Sequence, residues 1–145
     1  MEGAEVLSIA QNDEKSTVAS YRYENSNGEK FLVLNVNTRE GGEVMLKTYE
    51  RGRQYAEAVK WFSGKPLPAY IGGNPALYMQ CKVGDGKMAV GLWNFFADPV
   101  YAPTVELDGE YTLGECIGCR AHISGSRITL SDIPSFGFVA FELLL

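Results

Sequence analysis

One histidine and three cysteines among 145 residues leave this chain little of the usual material for catalysis. His122 is the sole imidazole, and no carboxylate is marked by sequence to orient it toward Ser124, Ser126 or Cys119, so a nucleophile–base pair is hard to build. Three cysteines do not make a disulfide framework. No apolar run approaches the length of a membrane span. Residues 1–20 carry Glu2, Glu5, Asp13 and Glu14 with neither a basic region nor an apolar stretch, so no signal peptide is read there and a cytoplasmic location is expected. The net charge of −5, with acids and bases interspersed, supplies no basic face, which argues against nucleic acid and anionic membrane as partners.

Other chemistry is equally thin. Gly72-Gly73 and Gly84-Asp85-Gly86 read as turns and match no phosphate-cradling loop. Acidic residues are plentiful, but glycoside hydrolysis depends on two carboxylates held at a set separation in space, and sequence marks no such pair. The sharpest local constellation is Cys116-Ile-Gly-Cys119 with His122, which together with Cys81 offers three thiolates and one imidazole, a structural zinc set. A strand over residues 119–123 would put Cys119 and His122 on opposite faces, and no second ligand pair stands at finger spacing. Buried structural cysteines are expected instead, with no bound metal and no other cofactor. A thioredoxin-like role would need the pair at the start of a helix, whereas short strands surround it.

What the chain does have is glycine and aromatics: sixteen glycines, eight tyrosines and seven phenylalanines, which favour strands joined by many turns. Residues 4–10, 17–23 and 30–37 read as three strands, with turn chemistry at Asn12-Asp13-Glu14 and Asn25-Ser26-Asn27-Gly28. The segment 30–37 is apolar on both sides and is expected to be buried; Gly41-Gly42 ends the pattern. One helix is predicted over about 48–62, its apolar stripe formed by Met45, Tyr49, Ala56, Val59 and Phe62, with Arg53 and Glu57 paired on the other face. Thr48 is its N-cap and Gly64 its left-handed exit, after which Lys65-Pro66-Leu67-Pro68 forbids continuation.

Beyond the helix the pattern is all β. Strands over 76–83 and 87–94 flank the Gly84-Asp85-Gly86 turn, and others fit near 103–107, 111–117, 119–123, 127–130 and 136–144. Ile128 and Leu130 share one side of their strand, and the last strand is apolar on both sides, as if buried between two layers. The Pro- and Gly-rich segment Gly64–Asn74 is the candidate boundary. Residues 1–64 would then form N-terminal strands plus the helix, and 75–145 an antiparallel β-sandwich of about seven strands; one continuous domain is the alternative.

Three stretches carry a resemblance to the C-terminal region of bacterial multidomain glycoside hydrolases of the β-galactosidase-like kind. The run from Tyr49 to Pro68 looks like the helix and exit turn that close their middle domain. Met88-Ala-Val-Gly-Leu-Trp-Asn-Phe-Phe-Ala-Asp98 is similar to a central strand of their terminal sandwich, and Arg127–Leu145 resembles its final strands. The resemblance spans roughly 48–145 and implies a non-catalytic accessory module. The catalytic carboxylates of such enzymes sit on a preceding barrel, which needs about 200 residues or more. The expected partner is therefore a catalytic domain of the same parent or another subunit.

Two further readings remain at this point. Sugar rings present flat C–H faces that stack on aromatic side chains, so an exposed aromatic platform would make the chain a carbohydrate-binding module. Trp61, Tyr70 and Tyr101 are the expected members of that platform, while Trp93, lying in an alternating strand, is expected in the core. The other reading is a small metal protein built on Cys116, Cys119 and His122.

Overall fold

The structure, a computed structural model, describes residues 3–35, 49–72 and 76–145. It is mainly β, as the patterning predicts, with three antiparallel sheets and one helix among the described residues. The chain forms two compact units, Met1–Met45 and Leu46–Leu145, and the helix lies in the second. The proposed N-cap Thr48, the Gly41-Gly42 break and the stripe position Met45 lie outside the described residues, as do Gly73 and Asn74.

In the first unit β1 (Glu5–Gln11), β2 (Ser16–Glu24) and β3 (Lys30–Leu34) form a meander. Its turns close as the sequence suggests: the Asn12 side chain accepts from the Glu14 and Lys15 amides, and Asn25 accepts from those of Asn27 and Glu29. Tyr21, Tyr23 and Phe31 stack in a row, with ring centroids 6.4 and 4.7 Å apart. The expectation that β3 is buried on both sides does not hold. Its residues are half-buried at best, Phe31 is exposed, and positions 36 and 37 lie outside the described residues.

The second unit opens with α1 (Tyr49–Ser63). Gly64 follows at φ +74°, its amide donating to the Lys60 carbonyl at 2.8 Å, so the left-handed exit is where glycine makes it inexpensive. Arg53 and Glu57 are exposed and form no ion pair among the described residues; Arg51 donates to Gln54 instead.

Eight strands then build two four-stranded sheets. One has the order β4-β7-β10-β9, comprising β4 (Ala69–Gly72), β7 (Thr104–Leu107), β10 (Arg127–Leu130) and β9 (Ala121–Ser124). The other has the order β5-β6-β11-β8, from β5 (Leu77–Gly84), β6 (Lys87–Asn94), β11 (Phe138–Leu144) and β8 (Thr112–Ile117). The sandwich thus has one strand more than expected, because β4 lies inside the segment read as a boundary. Prolines 66 and 68 stop short of it, and as an edge strand it needs partners on one side only. Asp85 and Gly86, at φ +50° and +73°, make the tight turn that the β5–β6 hairpin requires.

The core is where the inner faces meet. Val105, Leu107, Ile128 and Leu130 come from one sheet; Met88, Val90, Leu92, Val139, Phe141 and Leu143 come from the other. Each such side chain contributes about 1.5–3 kcal/mol on leaving water. The last strand is a correction to the two-layer expectation. Val139, Phe141 and Leu143 are buried, but Phe138 is 46% exposed, so only one face of β11 is in the core. Phe136 lies outside the strand, in a turn at φ +53°.

Candidate functional site

Strand alternation sends one set of side chains from β5, β6, β11 and β8 away from the core, and register places them in rows. Tyr78 faces Trp93, which faces Phe138; Gln80 faces Gly91, which faces Ala140, then Ile117; Lys82 faces Ala89, which faces Glu142. The first row is bulky and the middle of the others is small. The result is an open trough of about 310 Å³, floored by Ala89, Gly91 and Ala140 and walled at one end by aromatics.

The wall is continuous. Phe138 and Trp93 have ring centroids 4.7 Å apart, Trp93 and Tyr78 5.8 Å, and Tyr78 and Phe95 6.1 Å. Tyr78, Phe95 and Phe138 are about half exposed or more. Gly91 sets the pose of the indole: a Cβ there would stand 2.8 Å from Trp93 Cη2 and 3.0 Å from Cζ3. The same Cβ would stand 3.2 Å from Phe138 Cε2, so the Trp93 and Phe138 rings close together over the glycine, which no residue with a side chain would allow without moving them. Expecting Trp93 in the core was wrong for a simple reason. Both faces of β6 are apolar, and the buried set is Met88, Val90 and Leu92.

Polar groups stand around the trough. Gln80 Nε2 donates to the Tyr78 hydroxyl at 3.2 Å, and Lys87 Nζ pairs with Glu142 at 2.9 Å. Lys82 and Glu115 line opposite sides, one from each edge strand.

The expected platform residues are placed elsewhere. Trp61 is on α1, half-buried and edge-on to Phe62; Tyr70 is on β4, opposite Glu106 of β7; Tyr101 is 71% exposed between β6 and β7. They sit on three separate elements, and none belongs to the Tyr78–Trp93–Phe138 row.

Cys81, Cys116 and Cys119 are free thiols packed against the core, while His122 is exposed on β9. Burial raises the Cys81 thiol pKa, and the charge of Asp108 adds to it. Burial likewise pushes Cys119 up to about 11, helped by the charge of Cys116 and a hydrogen bond with it. Among the described residues no group of three His, Cys, Asp or Glu side chains could hold a metal ion. Nor is any described helix long and apolar enough to cross a membrane. No protein-family model, curated protein or solved structure matches the chain.

Proposed function

We propose that this chain is a non-catalytic accessory β-sandwich of a glycoside hydrolase-like protein, bracing a catalytic domain or a neighbouring subunit. The observation that carries the reading is the helix surface. Ala56 is buried, yet Tyr55, Val59 and Phe62, spaced four and three residues apart along α1, remain 37%, 39% and 47% exposed. Side chains at that spacing form one stripe, and an apolar stripe left in water at the side of a finished core is what a docking surface looks like. The sandwich architecture agrees with what the resemblance of residues 48–145 implies. In this role the chain turns over no glycoside by itself.

The test is to tag the chain in its native genome and recover it intact. A catalytic barrel on the same polypeptide, or a stoichiometric barrel-bearing partner lost in the Val59→Lys/Phe62→Lys variant, supports the proposal. A free monomer that behaves identically with and without those substitutions overturns it. So does hydrolysis of nitrophenyl glycosides by the isolated chain that a single acid-to-Ala change abolishes without unfolding it.

A further inference from the structure

We infer that the trough on the outer face of β5-β6-β11-β8 is a binding site for a neutral oligosaccharide, with one pyranose ring seated on the Trp93 indole. This goes beyond bracing and uses none of the helix residues.

The platform comes first. With no side chain at Gly91, the Trp93 and Phe138 rings meet over the strand, their centroids 4.7 Å apart, as one apolar wall. An aromatic ring face carries the negative side of its quadrupole, and the axial C–H groups of a pyranose carry small positive charge, so the two stack. Phe138 and Tyr78 flank the indole and extend the apolar wall beyond one ring.

Polarity selects a polyol over a purely apolar occupant. Gln80 reaches the trough from one edge strand and Glu115 from the other, so planar amide and carboxylate groups stand on both sides of the small-residue floor. Such groups bind the hydroxyls around a ring that is stacked on its face. An occupant without hydroxyls would strip water from them and return no hydrogen bonds.

Charge selects a neutral one. Two lysines, Lys82 and Lys87, are balanced by two glutamates, Glu115 and Glu142, and Lys87 is already paired to Glu142. A uronate polymer, a nucleic acid or an anionic lipid surface would find no excess positive charge there. The volume, about 310 Å³, is at the lower end of small-ligand sites, and the trough is open rather than enclosed, which suits a short stretch of a chain-like ligand.

The experiment uses the full chain carrying Trp61→Phe, so that Trp93 is the only indole. It is titrated with short neutral gluco-, xylo-, manno- and galacto-oligosaccharides, and with polygalacturonate for comparison, by calorimetry and indole emission. Saturable binding of at least one neutral class, without binding of the uronate, is expected. Trp93→Ala should abolish it, and Gly91→Val, which forces a side chain under the indole, should weaken it by about tenfold or more. Gln80→Ala, an exposed change that leaves the core alone, should weaken it several-fold and keeps the test valid if either bulk-changing variant fails to fold. Absence of binding by every neutral class at millimolar sugar would overturn the inference. So would affinity unchanged in Gln80→Ala and Gly91→Val together. Self-association of the chain that Trp93→Ala dissolves would also overturn it, making the trough a protein interface. None of these outcomes touches the helix stripe, so failure here and failure of the bracing role are separable.

Discussion

The Asn94 side chain ties the end of β6 to Pro134. Its Nδ2 donates to the Pro134 carbonyl at 3.0 Å and to the Asp98 carbonyl at 2.8 Å, while its Oδ1 accepts from the Phe96 amide at 3.0 Å. Asn94 is only 1% exposed, so all three bonds are made away from bulk water. They hold the turn that presents Phe95 beside Tyr78 and so fix one end of the aromatic wall. Asn94→Ala removes all three at once and should lower stability by about 2–4 kcal/mol in urea unfolding. Asn94→Asp should be no better at neutral pH, since a carboxylate cannot donate to either carbonyl. A loss under about 1 kcal/mol for the alanine variant would show that the turn is held by something else.

The two faces of β11 should respond differently to truncation. Leu143 is fully buried, and Leu143→Ala should cost about 2–5 kcal/mol through lost burial and the cavity left behind. Phe138, on the other face, is 46% exposed, and Phe138→Ala should cost less than about 1.5 kcal/mol. Equal losses in denaturant titrations would mean that the outer face is covered in solution.

Alkaline stability should carry the signature of one tyrosine. The Tyr111 hydroxyl donates to Asp108 Oδ1 at 2.7 Å, and this bond, assisted by burial and by the charges of Asp108 and Cys81, pushes its pKa from 10 up to about 12. The folded state therefore holds the phenolic proton more tightly than the unfolded chain. The stability this adds is complete below about pH 10 and is lost as pH rises through about 12. Urea unfolding between pH 8 and 12 should show a steeper decline for the wild type than for Tyr111→Phe; parallel curves would refute the coupling.

Cys119 should be a poor nucleophile at ordinary pH. Its Sγ lies 3.7 Å from the Ala140 carbonyl, which accepts from it, and its pKa of about 11 keeps it protonated. Alkylation of Cys119 by iodoacetamide, followed by peptide mass analysis, should be slow at pH 8, accelerate toward pH 11, and become fast in urea. Rapid labelling of the native protein at pH 8 would contradict this.

The helix stripe should be tolerant of charge in the isolated chain. Val59 is 39% exposed, so Val59→Lys should change the stability of the purified protein by no more than about 0.5 kcal/mol. A large loss would mean that the stripe is covered by the chain itself.

Much of this architecture was legible from residues alone, and the exceptions have physical causes. Turn chemistry and alternation locate β6 and β10 at their observed bounds, and Gly64 ends the helix as its lack of a Cβ allows. β4 was hidden because a four-residue edge strand just after Pro68 has too little length to show a period. The trough was hidden for a subtler reason. When both faces of a strand are apolar, alternation says that two faces exist and not which one is inside. The discriminating signal lay in size and charge: Met88, Val90 and Leu92 make a uniform packing set, whereas Ala89, Gly91 and Trp93 do not, and Glu142 on β11 shares their side. Trp61, Tyr70 and Tyr101, expected as a platform, stand on the helix, on β4 and in the segment between β6 and β7.

The position of β11 has a consequence for biosynthesis. It is made after the other strands of its sheet, yet it lies between β6 and β8 and pairs with both, joining Lys87 to Leu144 across the sheet. While the ribosome is still delivering residues, β6 and β8 present open edges toward each other with nothing between them. The sheet, and with it the Trp93–Phe138 contact, closes in one late event that waits for residues 138–144 to clear the exit tunnel. Strand pairing over such sequence separation is slow, and the waiting edges are where a nascent chain would recruit chaperones or misassemble with its neighbours on a polysome.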